Sequence, residues 1–158
     1  MKFIADGMLG RLTRWLRLLG NDVKYLQNAP DDELLAVAKR DGRTLLTCDL
    51  ELHRRAEKSG INSFLIREED EIKKLAELAK KFGIKLEVEM PLSRCPLCNH
   101  QIRHVEKARV VGRVNPRTLN AYDEYWECAG CGNIYWRGSH WKKIDETLKK
   151  ARSLLKRG

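Results

Sequence analysis

The sequence predicts an α/β fold over its first ninety residues, followed by a cysteine-rich module and a terminal helix. Three observations carry that expectation. Short apolar runs alternate with segments whose apolar residues recur at helical spacing, the pattern of a parallel sheet with helices on both faces. Four of the five cysteines form two C-x-x-C pairs beyond residue 90. The charge, balanced in the first part, is strongly basic in the second.

Residues 2–5 read as a strand closed by Asp6-Gly7. Leu9, Leu12, Leu16 and Leu19 line one face of a helix over 8–19, with Gly20 as its stop. A second strand spans 23–26. Asp31, just after Pro30, opens a helix with Leu34, Leu35 and Ala38 inward and Gly42 at its end. Residues 44–47 form a buried strand that runs into Cys48-Asp49. A helix over 50–59, a strand over 61–66, a helix over 69–82 and a strand over 84–89 complete the alternation. Pro91 marks a joint between residues 89 and 94, dividing the chain into units 1–90 and 91–158. A last helix, about 144–156, carries Ile144, Leu148, Ala151 and Leu155 on one side and is expected to pack on the protein with its lysines outward.

Composition narrows the class. Charged residues make up 34% and hydrophobic residues 42% of the 158, which suits neither a disordered nor a membranous chain. No apolar run approaches a membrane span and no secretory signal is visible, so a soluble cytoplasmic protein is expected. Residues 1–90 hold 17 basic and 16 acidic side chains, whereas residues 91–158 hold 14 and 6, so +8 of the net +9 lies in the second part. Such asymmetry favours contact with a polyanion, commonly nucleic acid, over a merely solubilising lysine-rich surface.

Cys95-Pro-Leu-Cys98 and Cys128-Ala-Gly-Cys131 have the spacing of a zinc ribbon. A C-x-x-C turn aims two thiolates at one point, and zinc takes four at tetrahedral corners. Asn99 and Gly132, one after each pair, tolerate the left-handed backbone such a knuckle needs. Four thiolates and Zn²⁺ sum to −2, leaving the second part near +6. His100, His104 and His140 are spare ligands that a closed four-cysteine site does not require.

In an open parallel sheet, chemistry sits beyond the C-terminal strand ends. Asp6 and Asp49 fall there, and Asp31 begins the helix after the second strand, so three carboxylates can converge on one crevice. Their mutual repulsion would be relieved by Mg²⁺ or Mn²⁺, which take oxygen ligands and leave positions for water and substrate phosphate. Each acid also has a structural alternative: Asp31 or Asp32 and Asp49 as helix caps, Asp6 as a turn former with Gly7. Beside Asp6, the first helix carries Arg11, Arg14 and Arg17 every third residue, a basic stripe suited to phosphate.

The run Ile4-Ala5-Asp6-Gly7-Met8-Leu9-Gly10-Arg11-Leu12, continuing through Arg14-Trp15-Leu16-Arg17-Leu18-Leu19-Gly20, resembles the opening motif of the Mut-seven C-terminal RNase domain family, PIN-like nucleases with a C-terminal zinc ribbon. Asp31-Asp32-Glu33-Leu34-Leu35, Gly42 to Asp49, the two cysteine pairs and Tyr135-Trp136-Arg137-Gly138-Ser139-His140-Trp141 extend the resemblance over essentially the whole chain. It implies a PIN-like three-layer domain followed by a zinc ribbon. It also implies a divalent-metal-dependent ribonuclease, an endonuclease by expectation, in which Asp6, Asp31 and Asp49 bind the cation and position water. Asp32 is the substitute for Asp31, and Asp70 a candidate fourth acid. Cys48 departs from the family's usual polar residue and is expected to be a small packed side chain.

On this reading the ribbon handles substrate: Trp136, Arg137, His140 and Lys142, with Arg11, Arg14 and Arg17, are the expected RNA contacts, although one of Trp136 and Trp141 is expected to be core. The rival reading is a non-catalytic RNA- or ribosome-binding protein on the same scaffold. A phospho-receiver domain fits poorly, since Asp6 has no acidic neighbour, and a haloacid dehalogenase-type phosphatase would need an acid where Met8 stands.

Overall fold

The computed structural model describes residues 1–157. Four strands, β1 (Lys2–Ala5), β2 (Asp22–Tyr25), β3 (Thr44–Thr47) and β4 (Ser63–Leu65), form a parallel sheet in the order β2-β1-β3-β4. The order reverses between β1 and β3, whose C-terminal ends lie side by side because Ala5 pairs with Leu46.

Helices cover both faces. The side-chain alternation of β1 sends Phe3 and Ala5 to one face and Ile4 to the other. The first face packs on α1 (Gly10–Leu18) and α4 (Glu71–Phe82), through Leu12, Leu16, Leu75 and Leu78. The second packs on α2 (Asp31–Asp41) and α3 (Leu50–Lys58), through Leu34, Val37, Leu52 and Ala56. Gly42 and Gly83 end α2 and α4 in left-handed conformations, at φ 64° and 70°.

Ile84–Glu89 differs from expectation: it is not a strand. Ile84, Leu86 and Val88 do pack alternately against the first-face core, so the two-residue period is real. The backbone, however, joins no ladder, and the sheet ends at β4. The Leu86 carbonyl instead accepts from Arg152. That residue belongs to the terminal helix, which lies on α4 and is named below.

Beyond a turn at Glu89–Ser93, an antiparallel sheet of β5 (Ile102–Val105), β6 (Tyr125–Cys128) and β7 (Ile134–Tyr135) forms the second core. A 3₁₀ turn, Lys107–Val110, and a short helix, α5 (Pro116–Ala121), fill the β5–β6 connection. Helix α6 (Trp141–Arg157) then returns to the first layer. Leu148 and Ala151 enter the same core as Phe3, with Ile144 and Leu155 packed beside them, as their spacing predicts. A buried leucine contributes roughly 2 kcal/mol, so α6 is an integral part of the α/β layer.

Candidate active site and metal centre

The cysteines come together. Their four Sγ atoms lie within 4.8 Å of one another, with Cys95–Cys131 at 3.8 Å and Cys98–Cys128 at 3.3 Å. Zn–S bonds of about 2.3 Å require tetrahedral corners about 3.8 Å apart, so the cage fits a metal ion such as zinc. Asn99 and Gly132 adopt φ of 74° and 77°, the left-handed turns the knuckles need. Burial pushes the Cys128 thiol up, but N–H groups of Cys131 and Gly130, with Cys98, bring it down to about 6. His100 is exposed, its Nδ1 3.4 Å from Cys98 Sγ, and His104 sits edge-on to Trp126.

The knuckle is bolted to the α/β layer by groups whose roles depend on long-range contact. Asn99 accepts from the Val23 N–H at 3.0 Å and donates to Asp22 at 2.7 Å. Arg43 also donates to Asp22, at 2.8 and 3.3 Å. Burial opposes the Asp22 charge, but these hydrogen bonds outweigh it and hold the carboxyl below its usual range.

Arg17 departs from the expected basic stripe. It is buried, donating to the Val23 carbonyl from Nε and Nη2 and to the Pro96 carbonyl at 2.9 Å. Its guanidinium therefore joins sheet to knuckle. Burial disfavours its charge, while the Cys95 and Cys98 thiolates favour it. Arg11 and Arg14, by contrast, are exposed and have no ion-pair partner among the described residues.

At the switch point between β1 and β3, Asp6 is buried to 7% exposure, one oxygen accepting from the Met8 N–H at 2.9 Å and the other from the Thr47 hydroxyl. The same hydroxyl accepts the Asp49 N–H at 3.0 Å. Asp49 caps α3, its Oδ1 accepting from Glu51 and Leu52 N–H groups at 2.9 and 3.2 Å. The turn and cap alternatives for Asp6 and Asp49 are thus both realised, alongside their place at the sheet edge.

Asp31 opens α2 without capping it, the N-cap position being Pro30. Its carboxylate lies 3.8 Å from Arg55, which also pairs with the exposed Asp32. Asp70 caps α4, accepting from Lys73 N–H at 3.0 Å. Asp6, Asp31 and Asp49 do not close to within 4.8 Å of one another; among the described residues only the cysteines do so as a set of three or more.

Two residues were not anticipated. Thr47 stands in the Thr-Cys-Asp run, but its role follows only from the β1–β3 register. Glu71, next to Asp70, acts with Asp6 and Glu77 on the Cys48 thiol; its Oε1 accepts from Lys74 at 3.1 Å, while its Oε2 is buried without a hydrogen-bond partner. Cys48 itself is exposed where a packed side chain was expected, because it lies past the end of β3. Its thiol is pushed up by partial burial and by Asp6.

In the ribbon, Trp136 packs beside Tyr125 and Trp141 packs beside Met90 and Trp126, so both close small cores. Arg137 lies over Trp126 and Trp141, 5.5 and 5.7 Å from the ring centres, and His140 and Lys142 are exposed. Buried Glu127 gathers Arg103, Arg109 and Arg113.

No described helix is long and apolar enough to cross a membrane. A family model, the Mut7-C RNAse domain, matches residues 1–148 of this 158-residue chain. No curated protein and no solved structure gives a match.

Proposed function

We propose that this chain, which belongs to the Mut7-C RNAse domain family, is a divalent-metal-dependent ribonuclease that hydrolyses RNA phosphodiester bonds at the β1/β3 edge. The family implies RNA as substrate. What supports the assigned edge is one observation: the Thr47 hydroxyl ties the buried Asp6 carboxylate to the backbone of Asp49 at the place where the strand order reverses.

The donor set suits a hard cation. It consists of carboxylates, Asp49 keeps one oxygen outside its capping contacts, and Glu71 offers a buried oxygen with no partner. Asp6, Asp49 and Asp31 would hold Mg²⁺ or Mn²⁺, with Glu71 a better-placed fourth acid than Asp70. The bound cation would lower the pKa of a water and offset charge on the scissile phosphate. The chain's own contribution is orientation: Thr47 fixes Asp6, helix α3 fixes Asp49, and Arg55 holds the α2 terminus that carries Asp31. Structural zinc in the cysteine cage would keep the ribbon folded, and exposed Arg11, Arg14, Arg137, His140 and Lys142, with the edge of Trp136, would contact RNA.

Incubation with single-stranded RNA and Mg²⁺ or Mn²⁺ tests this. Cleavage should require the metal and disappear in Asp6→Asn and Asp49→Asn. Equal cleavage by wild type and both variants would exclude the assigned edge. RNA binding without any turnover would favour a purely RNA-binding protein.

A further inference from the structure

A cleft of about 490 Å³ separates α1 from the first zinc knuckle. One wall is the face of α1 that carries Arg11, Thr13 and Arg14; the facing wall is Pro96 and Leu97 of the knuckle, and Tyr25 lies at the β2 end. Its size is that of a small-ligand pocket, about 300–1,000 Å³.

Four features distinguish it from an ordinary crease. Arg11 and Arg14 are exposed and free of ion pairs among the described residues. Leu97, at the tip of the knuckle, is an apolar side chain left 58% exposed. Thr13 is 1% exposed and its hydroxyl has no hydrogen-bond partner. Tyr25 donates to the Gly7 carbonyl at 2.7 Å, joining the end of the cleft to the residue after Asp6.

We infer that this cleft binds one unpaired nucleotide of a single-stranded RNA, next to the nucleotide whose phosphate reaches Asp6; the inference rests on the proposed nuclease reading. Arg11 and Arg14, three residues apart, lie on neighbouring helix positions about 5–6 Å apart and can hold adjoining phosphate oxygens. The base lies against Leu97 and Pro96. A paired base cannot enter, because its faces are already stacked within a helix. The charge complementarity selects a polyanion, and the apolar knuckle selects an exposed base over a bare phosphate. The zinc module is on this account one wall of the substrate groove, held there by Arg17 and Asn99.

The test uses the zinc-loaded full chain carrying Asp6→Asn, so that RNA is not consumed, and a fluorescein-labelled single-stranded oligouridylate followed by anisotropy over a salt series. Arg14→Gln and Leu97→Ser should each weaken binding about tenfold. Arg14→Gln should also reduce the salt slope by about one, whereas Leu97→Ser should leave the slope intact. Lys81→Gln, an exposed charge change on α4, should alter neither. Parent-like affinity in both cleft variants would overturn the proposal, as would an equal loss on duplex RNA. Cleavage of the same oligonucleotide by the chain with Asp6 intact is measured alongside. Cleavage with cleft-independent binding overturns the cleft alone; cleft-dependent binding without cleavage supports the cleft and overturns the nuclease reading alone.

Discussion

The Thr47 hydroxyl donates to the buried Asp6 carboxylate across the β1–β3 pair while accepting the Asp49 N–H. One side chain thereby sets the geometry of two acids that are 43 residues apart in the chain. Thr47→Val keeps the shape and removes the hydroxyl. It should cost about 1–3 kcal/mol of stability, as expected for a buried charge losing a hydrogen bond, and depress kcat more than KM. Thr47→Ser should restore both. Urea unfolding and steady-state cleavage check these outcomes.

Asp49 joins a capping role to its proposed metal role, and the two can be separated. Asn caps as well as Asp, so Asp49→Asn should leave the melting temperature nearly unchanged while abolishing cleavage. Asp49→Ala should in addition lose about 1 kcal/mol through the freed N–H groups of α3.

Arg17 bridges the Val23 and Pro96 carbonyls from a buried position. Arg17→Met would leave those acceptors without donors at the joint and should destabilise the fold by about 3 kcal/mol. Arg17→Lys should rescue little of this, because one ammonium cannot reproduce the planar fork. Denaturant unfolding measures the loss, and amide exchange should show faster opening at Asn99 and Val23.

Metal removal should act first on the ribbon. With the thiolate cage emptied by a chelator, the amides of β5–β7 should lose protection, and the contacts of Asn99 and Arg17 with the sheet should loosen. The β1–β4 sheet has its own two-faced core and should remain protected. Hydrogen exchange with and without added Zn²⁺ checks this.

Glu127 gives the ribbon an acid limit. Hydrogen bonds from Arg113 and Arg109 hold its carboxyl down to about 2, from an ordinary 4.5. A carboxyl with a depressed pKa contributes its stabilisation above the ordinary value and loses it as pH falls toward the depressed one. The metal-free chain should therefore lose stability between about pH 4.5 and 2, and Glu127→Gln should flatten that part of the profile. Thermal unfolding at a series of pH values measures it.

The sequence by itself determined what depends on local periodicity and spacing. Helical repeats located α1–α4 and the apolar side of α6, short apolar runs between turn signals located β1–β4, and the C-x-x-C spacing located the cage, because each pattern reports one segment's own geometry. The tertiary structure decided which groups meet. Ile84–Glu89 has the period of a strand, yet a strand also needs a partner backbone, and the chain does not supply one there. Arg11, Arg14 and Arg17 look alike in sequence, but the docked knuckle buries only Arg17. Thr47 and Glu71 gained their places from strand register and helix packing, which bring together residues distant in the chain. A hydrogen bond or buried charge between such residues leaves no periodic trace, and so only the folded molecule could reveal it.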